Sequence, residues 1–242
     1  MNHRSTAALV TGGSRGLGAA LGEVLVEHGT RVVLVARGEA ELARTVAAIR
    51  RDHPKAEVHG LAFDVGDKEA AHRIAGAAQA LIGPIDVVVH AASVLGPTPL
   101  RSLLDTECED FADVLQKNLL GPFRLDKILG GAMALRRRGT IVHVSSDAAV
   151  EAYPSWGAYG VSKAALDHLT RSFAVELASH GVNVIAFDPG EMDTAMHAAA
   201  IPDADRTKLA RPRDVAEKLA RLLEPERELK SGGRYVAAEV AS

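Results

Sequence analysis

The sequence predicts a doubly wound α/β fold, a parallel sheet with helices on both faces, from three observations. Short apolar runs rich in β-branched residues recur along the chain, helix-length segments with apolar residues at helical spacing separate them, and the strand-like runs are apolar almost without a break. Alternation of the two segment types calls for parallel strands joined by crossover helices. Near-continuous apolar strands are what a sheet covered on both faces requires, because neither face meets water. At 242 residues, with no internal repeat or low-complexity linker, residues 1–242 are read as a single domain.

In chain order the predicted strands are Ala7–Val10, Val32–Ala36, Val58–Phe63, Ile85–His90, Thr140–Val144 and Val182–Phe187. The predicted helices are Gly16–His28, Glu39–Arg51, Lys68–Leu81, Phe111–Leu135 and Ala158–Ser179. Right-handed crossovers then place ligands at the carboxyl ends of the strands.

The segments just past the strands are therefore the informative ones. After the first strand comes Thr11-Gly12-Gly13-Ser14-Arg15-Gly16-Leu17-Gly18. Gly12, Gly16 and Gly18 permit a tight turn and close backbone approach, so a pyrophosphate is expected against the helix N-terminus. The spacing is Gly-x-x-x-Gly-x-Gly, and its position between a strand and a helix is what favours nucleotide binding over plain loop geometry. After the second strand an NAD-preferring site would place a carboxylate on the ribose; this chain has Arg37. Arg37 and Arg15 would clamp a 2′-phosphate through charge-assisted hydrogen bonds, which predicts NADP(H) over NAD(H). Asp64 and Val65, past the third strand, are candidate contacts for the adenine amino group, although an Asp there is also a common cap.

Arg136-Arg137-Arg138, between a helix and the fifth strand, reads as a solvated turn that favours the helix C-terminus. The fifth strand ends near Ser146, thirteen residues before Tyr159, with Lys163 four residues further on. Four residues is about one helical turn, so phenol and ammonium are expected on one face. A cation there would favour the phenolate and bring the phenol down toward neutral pH, making Tyr159 a general acid/base. Ser146 would hydrogen-bond the reacting oxygen beside it. The arrangement points to carbonyl/alcohol chemistry, whereas a bare Tyr-x-x-x-Lys would be an ordinary core tyrosine with a snorkelling lysine.

Composition narrows the partners. A net charge of −3 offers no basic field for nucleic acid or an anionic membrane surface. The single Cys108 excludes an intrachain disulfide, and the ten histidines show no zinc-ligand spacing, so no metal is expected and a reducing, cytoplasmic setting is. The first residues, Met1 to Thr6, run directly into a strand, with no long apolar stretch for export or for spanning a bilayer.

With these pieces in order, the chain resembles the short-chain dehydrogenase/reductase family over essentially its full length. The resemblance implies a single Rossmann domain of seven parallel strands and a catalytic site of Asn118, Ser146, Tyr159 and Lys163. Tyr159 would donate a proton to the carbonyl as hydride arrives, and Lys163 would also bind the nicotinamide ribose. Asn118, within Lys117-Asn118-Leu119-Leu120-Gly121-Pro122-Phe123, would sit at a break in a long helix and hold a water in a proton relay. Pro189, Gly190, Met192 and Thr194 match the segment that contacts the nicotinamide carboxamide. The usual Asn-Asn-Ala-Gly after the fourth strand is here His90-Ala91-Ala92-Ser93; Ala91 and Ala92 still allow close adenosine approach, and His90 is assigned a structural hydrogen bond.

The run Gly190–Met196 and Lys230-Ser231-Gly232-Gly233 look like the sepiapterin reductase/benzil reductase branch, which reduces vicinal diketones. The position of that branch's pterin-anchoring aspartate is Val236 here, with Glu239 the nearest later carboxylate, which argues against a pterin. The expected substrate is a small neutral carbonyl compound, reduced under a covering loop at His197–Leu209. Tyr153 and Trp156 are candidates for the pocket wall or a subunit contact. The resemblance also implies a homodimer through Phe111–Leu135 and Ala158–Ser179, and the family's homotetramer beyond it. The rivals are a 3-oxoacyl thioester reductase or other alcohol dehydrogenase of the same family and, from another class, a non-catalytic NADP(H)-binding regulator.

Overall fold

A computed structural model describes residues 6–224 and 227–240; the lead-in read at residues 1–5 and the last two residues of the predicted domain lie outside the described residues. Seven parallel strands form one sheet in the order β3-β2-β1-β4-β5-β6-β7. They are β1 (Ala7–Thr11), β2 (Arg31–Ala36), β3 (Val58–Ala62), β4 (Val87–His90), β5 (Gly139–Val144), β6 (Val182–Asp188) and β7 (Arg234–Val236). The helices are α1 (Gly16–Glu27), α2 (Glu39–Asp52), α3 (Ala70–Ile82), α4 (Cys108–Leu115), α5 (Gly121–Arg136), α6 (Gly157–Leu177), α7 (Ala195–Ala200) and α8 (Pro212–Leu222).

Alternate residues of each central strand feed opposite cores. Ala8 and Val10 face α1, α2 and α8 through Leu17, Leu21, Leu42, Val215 and Leu219. Ala7 and Leu9 face α3, α5 and α6 through Ile74, Leu125, Leu129 and Ala174. A strand buried on both faces takes apolar residues, which is why β1 reads Ala-Ala-Leu-Val before Thr11, whose buried hydroxyl accepts from Ala92 N at 3.2 Å. At the edge the rule lapses: in β3 only Val58 is fully buried.

The long predicted helix Phe111–Leu135 is in fact two. It begins earlier, at Cys108, and a π-helical turn over Gln116–Leu120 separates α4 from α5. Each π turn adds a residue to the ring and swings the side chains after it, a device that often marks a functional position. Gly121 enters α5 against the carbonyl of Val65, where a Cβ would come within 2.7 Å. Arg137 closes α5 in the left-handed conformation, with φ 54°, and Arg138 pairs with Asp86 at 2.7 Å, so the arginine run is a turn.

β1 and β4 are neighbours with connections leaving in opposite directions. Their carboxyl ends therefore splay apart, and the crevice between them is where this topology receives a ligand. No helix among the described residues is long and apolar enough to cross a membrane.

Candidate active site

A cleft of about 460 Å³ opens at that crevice. It is lined by Gly12, Ser14, Arg15, Gly16, Leu17, Gly18, Arg37, Asp64, Val65, Ala91, Ala92, Tyr159, Lys163, Pro189, Met192 and Thr194. All the predicted cofactor contacts thus converge except Gly190, which lies behind Pro189 with its N–H held by Asp188 Oδ1 at 2.9 Å.

The phosphate end is built from backbone. A Cβ on Gly12 would stand 2.7 Å from Ala92 N, and one on Gly18 would stand 2.4 Å from Gly12 O, so turn, helix and the end of β4 meet only because side chains are missing. Arg15 caps α1 without a side-chain hydrogen bond, and the first turn of α1 carries no acid. Its free N–H groups face the cleft and fit a pyrophosphate. Arg37 is half exposed with one loose ion pair to Asp64, at 3.8 Å, and Asp64 Oδ1 caps Gly66 N at 2.8 Å. Ser14 Oγ donates to Glu41 Oε2 at 2.9 Å, so a carboxylate also borders this end of the cleft, a neighbour the sequence pattern did not reveal.

At the reacting end α6 presents Tyr159 and Lys163 on one buried face. The ammonium lies 5.5 Å from the centre of the phenol ring and donates to Val144 O at 2.6 Å. The expected lowering of the Tyr159 pKa is not what the structure gives. Burial pushes the phenol up to about 12; the Ser146 hydroxyl pulls downward, Asp147 and Asp188 push upward, and Ser93 pulls downward again. Lys163 moves the other way, pulled down to about 8 by burial, with Asp167 and Asp188 opposing. The cation is thus spent on a main-chain carbonyl, and desolvation decides the phenol.

Asn118 is buried in the π turn. Its Nδ2 donates to Val94 O and Ser162 Oγ, both at 2.9 Å, and its Oδ1 accepts from Val94 N at 2.8 Å. The side-chain amide is fully engaged, so it ties the β4 loop to α6 and leaves no donor for a water. Neither Asn118 nor Ser146 lines the cleft itself.

His90 takes the structural hydrogen bond assigned to it. His90 Nε2 and His143 Nε2 each lie 2.8 Å from one oxygen of Asp126, and His143 Nδ1 lies 2.8 Å from Thr170 Oγ1. All three ionisable groups are buried. Burial would raise Asp126, but the two imidazoles hold its carboxyl well below the usual range. His143 is lowered, chiefly by burial.

The sequence and the fold are matched by known proteins. The profile of the short chain dehydrogenase family matches residues 6–205. The chain belongs to the short-chain dehydrogenase/reductase family. Family members use nicotinamide cofactors in oxidoreduction. It is 31% identical over 235 residues to the 3-oxoacyl-acyl-carrier-protein reductase FabG of Vibrio cholerae, covering 93% of each chain. To carbonyl reductase (NADPH) 2 of Sus scrofa it is 32% identical over 221 residues, covering 91% of this chain and 85% of the other. An actinorhodin polyketide ketoreductase crystallised with NADPH superposes with a TM-score of 0.87 at 27% identity, over 96% of this chain and 95% of that one.

Two neighbours of the candidate site in this short-chain dehydrogenase/reductase went unread in the sequence. Arg234, on β7, donates to Ser146 O at 2.9 Å and Asp188 Oδ2 at 2.6 Å, and faces Asp167 Oδ2 at 3.3 Å. Asp147 accepts the hydroxyl of Ser146 at 2.8 Å. Nothing in residue type or spacing singles out either; only the pairing of β6 with β7 and the turn after β5 bring them in.

Proposed function

We propose that the chain reduces a ketone or vicinal diketone to the alcohol, with NADP(H) preferred over NAD(H). The observation that carries this reading is Tyr159 placed between the hydroxyl of Ser146 and the buried Lys163 at the rim of a cleft whose far end fits a pyrophosphate. NADP(H) is supported by Arg15, whose side chain makes no cap hydrogen bond, by Arg37, held only by a 3.8 Å ion pair to Asp64, and by the NADPH in the names of two similar proteins.

The nicotinamide, when bound, supplies the hydride. Ser146 orients the carbonyl oxygen, and Tyr159 donates the proton that oxygen needs. A phenol at about 12 is protonated at neutral pH, the form a reductase requires at the start of a turnover. Lys163, at about 8, readily gives up and regains a proton and so replenishes the phenol, besides holding the nicotinamide ribose. Asn118 sets the distance between the β4 loop and α6 from its place in the π turn. The direction is reduction, because cells usually hold the NADP pool reduced.

A 3-oxoacyl thioester reductase is the second reading, favoured by the FabG relative. The first experiment is NADPH oxidation at about 340 nm against vicinal diketones, simple ketones, quinones, 3-oxoacyl thioesters and sepiapterin. Diketone or ketone turnover that falls by roughly 10²–10⁴ in Tyr159→Phe while NADPH binding persists supports the proposal. Turnover confined to thioesters supports the second reading, and NADPH binding without any turnover supports a regulator.

A further inference from the structure

Ser146 has one hydroxyl hydrogen and two oxygens beside it, the Tyr159 phenol, which when protonated can itself donate to the serine, and the Asp147 carboxylate. Ser146 Oγ lies 2.8 Å from Asp147 Oδ1, and a carboxylate oxygen only accepts, so the serine donates. The same carboxylate takes the N–H of Ala148 on Oδ1 at 2.8 Å and the phenol of Tyr153 on Oδ2 at 3.0 Å. Asp147 is exposed, beside an apolar patch of Leu95, Ala148 and Tyr159 onto which Leu100, Trp156 and Met196 pack. Through Ser146 it stands one hydrogen bond from the reacting position, and its charge pushes the Tyr159 phenol upward. Glu151 and Glu191 reinforce the negative charge at Tyr153. Arg234 is engaged elsewhere, with the Ser146 carbonyl, Asp188 and Asp167.

Carbonyl reduction sets up a competition for that hydrogen. To bind a substrate oxygen, Ser146 must turn its hydroxyl away from Asp147, and Oδ1 loses a donor. A substrate seated on the apolar patch also shields the carboxylate from replacement water. A ligand with no donor leaves the acceptor short by one hydrogen bond to a charged group, the kind of loss that discriminates most strongly between ligands. A hydroxyl or ammonium group on the carbon next to the carbonyl restores the count, because it reaches Asp147 when the carbonyl oxygen reaches Ser146.

We infer that Asp147 is a specificity-determining residue that selects carbonyl substrates bearing an O–H or N–H donor on the adjacent carbon, the hydroxyketone and aminoketone class. The inference rests on the reductase reading above and, within it, favours the ketone over the vicinal diketone, whose adjacent carbon carries an acceptor and no donor.

The test compares kcat/KM for 1-hydroxybutan-2-one and butan-2-one in the wild type, Asp147→Asn and Asp147→Val. An α-hydroxyl activates any ketone toward hydride, so the quantity read is the change in the ratio between variants, in which intrinsic reactivity cancels. The ratio is expected to fall by about 10-fold or more in Asp147→Val and by less in Asp147→Asn, which keeps an acceptor oxygen without the charge. Binding of the same two ligands to Tyr159→Phe with NADP⁺, by calorimetry, should show the preference without turnover, and Asp147→Val in that background should abolish it. A ratio unchanged in both variants, with both ketones reduced, overturns the inference and leaves the reductase standing. Absence of turnover and of saturable binding for either ligand in the wild type overturns the inference, and silence across the NADPH oxidation panel overturns the reductase reading as well.

Discussion

Arg37 leaves β2 half exposed, held by one ion pair of 3.8 Å to a carboxylate that is itself partly exposed. So loose a contact contributes little to stability, and the guanidinium is free to serve a phosphate. Arg37→Asp is expected to lower the ratio of NADPH to NADH kcat/KM by about 10- to 100-fold, the worth of one or two charge-assisted hydrogen bonds. An unchanged ratio in steady-state assays with both cofactors would contradict the assignment. Tyr159 shows where residue-scale inference from sequence stops. The four-residue spacing does place Lys163 on the same face, yet its ammonium donates to Val144 O and the phenol is governed by burial. Spacing along a helix fixes which side chains are neighbours; it says nothing about how much water remains around them, and that decided the sign.

β7 shows the same limit for a whole element. It is three residues long, Arg-Tyr-Val, and no periodicity exists in three residues; it is a strand only because Ala186, Phe187 and Asp188 pair with it. Its location was therefore invisible in the sequence, although the family resemblance supplied the number of strands. α8 is a different miss, since Pro212 opens it and Val215, Ala216, Leu219 and Leu222 come after at helical spacing; the signal was present. The strands β1, β2, β4, β5 and β6 and the glycine turn were legible because burial on both faces and close backbone approach narrow the residue types allowed. Through Arg234, β7 anchors the Ser146 carbonyl and the aspartate that caps Gly190. Arg234→Met should lower kcat/KM by about 10- to 100-fold by releasing both, and Arg234→Lys should recover part of it because one hydrogen-bonding cation remains. Equal kcat/KM for Met and wild type would show that the strand alone suffices.

At the scale of the whole molecule, the His90–Asp126–His143 cluster joins β4, β5 and α5 in the core and links stability to pH. His143 has a lowered pKa in the fold, so its contribution is complete above the unfolded value near ~6.5 and is lost as pH falls through the folded value. Asp126 is lowered as well, and its contribution is lost only at more acid pH, below its unfolded value near ~3.9. The melting temperature should therefore decline from pH 7 to pH 5, and His143→Gln should flatten that decline while lowering the plateau. Phe123, Val161 and Val175 leave apolar surface exposed on α5 and α6. A homodimer pairing those helices would cover it, and light scattering at micromolar concentration should give twice the chain mass, reduced to one in Val175→Asp.

The strand order also bears on how the chain is made. With β3-β2-β1-β4-β5-β6-β7, each strand emerging from the ribosome adds to an edge already in place, and none has to be inserted between two partners. The nucleotide half, complete at β4, can form while the rest is still being synthesised. The anchor at Arg234 lies on the last strand to join the sheet, so the chemical site closes only after β7 has emerged, and until then the growing chain is a cofactor sheet without its chemical end.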